Sequence, residues 1–172
     1  MVARFLLACL ATGLACSASA DDGDIKKAAK AQAEVTQAAL VKGEFETLVR
    51  HTHPLIVEQL GGKEKMAAFL RTETKKMKDQ GFEFKSVKIA DPGELARVGK
   101  EIYVGIPLAM EMSAPGGRLS NKGFLIGVSS DDGKTWVFID SAPGRERIKM
   151  SFPDLPDAIV IPKKERPTFV KD

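Results

Sequence analysis

The chain has 172 residues, of which 44% are apolar and 28% charged, with 26 Lys plus Arg against 23 Asp plus Glu. This is the balance of a globular protein, and the length fits one domain. A net charge of only +3 argues against nucleic acid as the main partner, because phosphate binding usually goes with a concentrated basic surface. No part of the composition is extreme enough for disorder throughout.

Residues 1–20 carry one early positive charge, Arg4, then the apolar run Phe5-Leu6-Leu7-Ala8-Cys9-Leu10-Ala11, and close on Ala18-Ser19-Ala20. That is the pattern of a cleaved secretory signal peptide, with cleavage expected after Ala20 and a periplasmic or secreted mature protein. The apolar run is too short for a membrane span, which needs about twenty residues. A lipoprotein anchored at Cys16 is the minority alternative, because Gly13 stands where Leu is usual. Both cysteines, Cys9 and Cys16, lie in this segment, so the mature chain is expected to have no disulfide and no thiolate chemistry.

The mature chain begins with helix formers. Asp24 to Gly43 predicts a helix with Asp24 as N-cap, Gly43 as stop, and Ile25, Ala28, Ala29, Val35 and Ala39 as its apolar face. Glu44 to His51 predicts a second turn of helix around Phe45, Leu48 and Val49. After Pro54, residues Leu55, Ile56 and Leu60 predict a short helix ended by Gly61-Gly62. A long helix then runs from Lys63 to Gln80, with Met66, Phe69, Leu70 and Met77 as its buried stripe.

Beyond Gly81 the hydrophobic period changes to two. Phe82, Phe84 and Val87 open a strand, Asp91-Pro92-Gly93 turns it, and Glu94 to Val98 precedes a long strand from Glu101 to Ser113. In that strand Ile102, Val104, Ile106, Leu108, Met110 and Met112 share one face. Pro107 predicts a bulge or an edge position there. Pro115-Gly116-Gly117 makes a hairpin into Leu119 to Ser129, and Asp131-Asp132-Gly133 turns into Thr135 to Asp140. Pro143, Pro153, Pro156, Pro162 and Pro167 then argue for an irregular tail over residues 142–172, wrapping the domain through anchors such as Phe152, Leu155 and Ile159. Helices first and antiparallel strands afterwards give an α+β class.

This order, with Thr52-His53-Pro54 closing one short helix, Gly61-Gly62-Lys63-Glu64-Lys65-Met66 opening another and Phe124 to Asp140 at the end, resembles the nuclear-transport-factor-like superfamily. Its members are also called cystatin-like or ketosteroid-isomerase-like cone folds, and the similarity is to the secreted bacterial ones. It covers about residues 24 to 141. The resemblance implies N-terminal helices packed in a strongly curved antiparallel sheet, a pocket in the cone, and dimers formed through the sheet. It is compatible with isomerases, cyclases, dehydratases and proteins without activity. Ser129-Ser130-Asp131-Asp132-Gly133-Lys134-Thr135-Trp136 is in addition similar to the Asp-box hairpin, in which a carboxylate binds turn amides and Trp packs beneath. One copy makes it a structural turn built on Ser129, Asp131, Gly133 and Trp136, not a propeller blade.

His51 and His53 are the only histidines. No nearby carboxylate has ligand spacing, so no metal is expected, and no cofactor is implied. His53 before Pro54 reads as a helix cap or as a general base in the cone. Asp140 shares a strand face with Trp136 and Phe138, which makes it a candidate acid if that face lines the cone. Isomerase chemistry also needs an acidic oxyanion donor, and Tyr103 lies opposite the Ile102/Val104 face. The expected pocket therefore comprises Trp136, Phe138, Asp140, Met110, Met112 and His53. The expected role is non-catalytic binding of a small apolar ligand or a protein partner. The alternative is an isomerase, dehydratase or cyclase using Asp140 and His53.

Overall fold

The computed structural model describes residues 21–172; the export-signal and lipoprotein readings concern residues outside that range. Four helices come first: α1 (Asp22–Lys42), α2 (Phe45–Arg50), α3 (Pro54–Gln59) and α4 (Lys63–Asp79). The strands β1 (Glu83–Ile89), β2 (Leu95–Val98), β3 (Glu101–Ala114), β4 (Gly117–Ser129) and β5 (Val137–Asp140) follow. A short helix, α5 (Arg145–Ser151), and a last strand, β6 (Thr168–Lys171), complete the chain. The fold is α+β, with the helices followed by a curved, unclosed, antiparallel six-stranded sheet.

The sheet has a simple plan. β3 pairs with β4 along its whole length, from Ile102 opposite Ser129 to Ala114 opposite Gly117. On the other side of β3, β1 covers one end and β2 the other. On the outer side of β4, β5 covers Leu125 to Val128 and β6 covers Gly117 to Ser120. Pro107 occupies neither an edge strand nor a bulge. It sits in a central strand at the gap between β1 and β2, where its carbonyl still accepts from the Ala90 N–H at 2.9 Å. A missing N–H costs nothing where no strand is present to accept it.

Both faces of this sheet are covered. The inner face carries Ile102, Val104, Ile106, Leu108, Leu125, Trp136 and Phe138, closed by Ile25, Ala29 and Ala33 of α1. The alanines let the helix lie close to the strands. The outer face carries Tyr103, Ile126, Val128 and Ile139, and the chain's own Ile148, Leu155 and Ile159 lie across it. Arg145 fastens this cover, donating to the Ile159 and Pro156 carbonyls and to Asp157 Oδ1 at 2.7 Å. Residues 142–172 thus hold one helix and one strand where the prolines predict none. Pro143 precedes the Gly144 cap of α5, and Pro167 immediately precedes β6, so neither interrupts an element. A third cluster joins Phe45, Val49, Val57, Met66 and Ala67 of α2, α3 and α4.

The helix faces differ from the sequence pattern in three places. Val35 and Phe69 are each 51% exposed, and Leu60 is also exposed. α1 instead buries Ala33, Thr36 and Gln37, and α4 buries Met66 and Ala67. At the contact with Phe45 and Val49, the small Ala67 takes the buried position, and the bulkier Phe69 lies at the rim.

Candidate functional site

The inner face of the sheet is not filled to its end. Between α1, the short helices and β3, β4 and β5 lies a cavity of about 650 Å³, within the range of small-molecule sites. Leu40, Leu48, Ile56, Met66 and Leu70 line it from the helices; Phe84, Leu108, Met110, Leu125 and Phe138 line it from the strands. Its room comes partly from Gly123, the cross-strand partner of Leu108. A Cβ on Gly123 would lie 2.8 Å from the Leu108 side chain.

The polar groups in this apolar wall are few. Thr36 donates its hydroxyl to the Gln32 carbonyl at 2.7 Å. Gln37 lines the cavity and is only 6% exposed. Asn121, opposite Met110 on β4, also lines it, and its Oδ1 is buried with no hydrogen-bond partner among the described residues. A buried unpartnered amide oxygen is a standing cost of about 1–3 kcal/mol.

The mouth lies at the stretch of β4 that neither β5 nor β6 covers. Asn121, Lys122, Gly123 and Phe124 form one side, Asp140 to Ala142 and Gly144 another, and Pro162 to Glu165 the third. Lys122 is paired with Glu165 at 3.1 Å. Asp140 is exposed at this rim, and its Oδ1 accepts from the Ala142 N–H at 2.8 Å.

Phe138, Asp140 and Met110 are therefore in the cavity wall, whereas Trp136, Met112 and His53 are not among its lining residues. Trp136 is 1% exposed and is enclosed by the turn that precedes it. Its Nε1 donates to the Gly133 carbonyl at 2.9 Å, and its N–H donates to Gln32 Oε1 at 2.9 Å. Within that turn, Asp131 Oδ1 accepts from the Ser129 hydroxyl and from the Thr135 N–H, both at 2.9 Å. Asp131 Oδ2 accepts from the Thr135 hydroxyl at 2.7 Å. Burial works against the Asp131 charge, but these hydrogen bonds outweigh it and hold the carboxyl below its ordinary range. Asp132 and Gly133 take φ of 59° and 83°, and Gly133 packs directly on Ile25 of α1.

Met112 lies beyond the cavity, near the end of β3 opposite Leu119. His53 caps α3: its Nδ1 accepts from the Leu55 N–H at 3.3 Å, ahead of Pro54 at the first helical position. Its ring stands edge-on to Phe152 with centroids 4.7 Å apart, on the side covered by the C-terminal segment. Burial there pushes the imidazole below its ordinary value, against an opposing attraction from Glu101. Tyr103, on the same outer face, donates its hydroxyl to Glu101, and burial followed by that carboxylate pushes its pKa up. The acid, the histidine and the tyrosine do not share one cavity. Among the described residues, no group of three or more His, Cys, Asp or Glu side chains gathers as a metal site, and no helix is long and apolar enough to cross a membrane.

Gln37 and Asn121, the two amides of the wall, have no distinctive sequence signal. The only available sign was Asn121's place on the same face as Leu119, Leu125 and the small Gly123.

No protein-family model matches the chain, and no curated protein matches it. Among solved structures it is similar to an M. tuberculosis LEH-like epoxide hydrolase, at 18% identity and a TM-score of 0.36, covering 76% of this chain and 94% of that one. This is a distant likeness of fold alone.

Proposed function

We propose that this protein is a non-catalytic binder of a small, mainly apolar molecule, held in the cavity between α1 and the inner face of the sheet. The observation that carries this reading is the unpartnered Asn121 Oδ1 in an otherwise apolar wall. An apolar hollow and an orphan amide oxygen each destabilise the protein, and one ligand with a hydrogen-bond donor on an apolar body relieves both. Gln37 offers a second amide to the same space. The protein acts after export, with residues 1–20 removed; a mature N-terminus at Asp21 is the check on that part.

The acid–base alternative rests on Asp140, which lines the cavity. Against it stands the position of His53, whose ring contacts Phe152 and whose Nδ1 is engaged by the α3 backbone. A protein partner docking on the sheet would have to displace the chain's own Ile148, Leu155 and Ile159.

Native mass spectrometry of the protein purified from its own host tests the reading. Extra mass released on denaturation is the expected result. In parallel, the neutral dye Nile red should bind and fluoresce, and Met110→Trp should abolish that signal without lowering the melting temperature by more than a few degrees. A ligand-free mass together with no dye uptake would overturn the proposal.

A further inference from the structure

We infer that the ligand is an amphipathic anion, such as a medium-chain hydroxycarboxylate, with its chain in the cavity, its hydroxyl at Asn121 and its charge held at the mouth by Lys163 and Lys164. This inference rests on the binding role proposed above and names the class of molecule bound.

The rim carries three cations, Lys122, Lys163 and Lys164, and two anions, Asp140 and Glu165. These are not equivalent. Lys122 and Glu165 neutralise each other at 3.1 Å, and Asp140, one oxygen of which accepts the Ala142 N–H, is one anion set against the two remaining cations. Lys163 and Lys164 form no ion pair among the described residues, while Arg145 and Lys149 of the same C-terminal segment both converge on Asp157. Both lysines lie on the segment between α5 and β6 that borders the opening. Behind them the wall is Leu108, Met110, Leu125 and Phe138.

A charge at the edge of a low-dielectric hollow attracts the opposite sign more strongly than one on open surface. A carboxylate placed there stays partly hydrated and needs no complete desolvation, while its chain leaves water entirely. Asn121, next to Lys122 in the chain, lines the same space, and its Oδ1 accepts from the hydroxyl near the ligand's charged end. A neutral ligand would leave the lysine pair unused. A cationic one would meet it directly.

The test compares 3-hydroxydodecanoic acid with its methyl ester by isothermal titration, at low and at high salt. The unaltered protein should bind the acid more tightly than the ester, and only the acid's affinity should fall as salt rises. The variant K163Q/K164Q should lose about tenfold in affinity for the acid, the sum of two partly exposed ion pairs, and keep its affinity for the ester. Both substitutions are on exposed side chains, so folding is unaffected, and an unchanged melting temperature verifies that. Equal affinity for acid and ester, or an unchanged acid affinity in the double variant, would overturn the anionic class and leave the cavity reading standing. Binding of neither molecule, with no uptake of Nile red, would overturn the cavity reading itself.

Discussion

Thr52 lies beside Phe138 in an isolated parallel bridge. The Phe138 N–H donates to the His51 carbonyl at 2.7 Å, and the His53 N–H donates to the Phe138 carbonyl at 3.0 Å. Thr52 and Phe138 both line the cavity, whereas neither flanking histidine is among its lining residues. His51 approaches the Trp136 carbonyl at 3.4 Å and His53 meets Phe152. A His-x-His spacing that looks like a metal or acid–base motif here brackets a backbone bridge.

His53 should make stability pH-dependent. Its folded pKa lies below the ordinary value of 6.5. Above that value both folded and unfolded chains hold a neutral ring and no difference arises. As pH falls through it, the unfolded chain takes up the proton first, so stability declines until the folded ring also titrates, and then levels. Urea midpoints measured between about pH 8 and pH 5 should show this decline. In His53→Asn, which keeps a capping side chain, the contribution should vanish. An unchanged pH profile in that variant would show that other groups set the acid response.

Gln32 ties the 129–136 turn to α1. Its Oε1 accepts the Trp136 N–H and its Nε2 donates to the Lys134 carbonyl, both at 2.9 Å. Gln32→Ala removes both bonds and should destabilise by about 1–2 kcal/mol. Trp136→Ala, which also empties a large buried site, should cost about 3–5 kcal/mol. Chemical denaturation resolves the two. A Trp136 variant of full stability would remove the case that this side chain anchors the turn.

Asn121→Leu should separate stability from binding. The substitution deletes an unpartnered buried oxygen and adds apolar contact, so the ligand-free protein should gain about 1 kcal/mol. The natural ligand, recovered with the unaltered protein, should bind the variant more weakly. A variant that loses stability would mean that Asn121 is satisfied in the ligand-free protein.

Gly133→Ala should destabilise by about 1–3 kcal/mol. The residue holds φ at 83°, where a side chain is strained, and the added Cβ would lie 2.7 Å from Ile25. Thermal denaturation checks it. Gly116→Ala is the control, since its φ is 77° and nothing lies within 4 Å of the added atom; it should show the backbone strain alone.

The inner face of β3 was legible because one side of the strand is uniformly apolar from Ile102 to Met110. The faces of β4 and β5 were harder. Trp136 and Phe138 turn to the cone while Val137 and Ile139 turn to the C-terminal segment, so alternation between apolar and polar disappears when both sides are covered. Asp140's place on the Trp136/Phe138 face followed from the period alone. Gln37 and Asn121 were not legible. A single amide on a helix or strand reads as water-facing, and only the fold reveals a hollow in front of it. Val35 and Phe69 misled for the opposite reason, since their bulk suggested burial where the packing admits alanine.

The cover on the outer face has a consequence for how the chain matures. Tyr103, Ile126, Val128 and Ile139 are shielded by Ile148, Leu155 and Ile159, and β4 gains β6 only through Thr168 to Lys171. These covering residues are therefore synthesised after the sheet they shield. Until those residues emerge, the growing polypeptide presents a broad apolar surface and an unpaired strand edge, the features that invite aggregation. A product that stops near Ser141 would keep that hazard permanently. Loss of residues 142–172 therefore strips a cover from the sheet, and such fragments should be prime targets for chaperones and proteases.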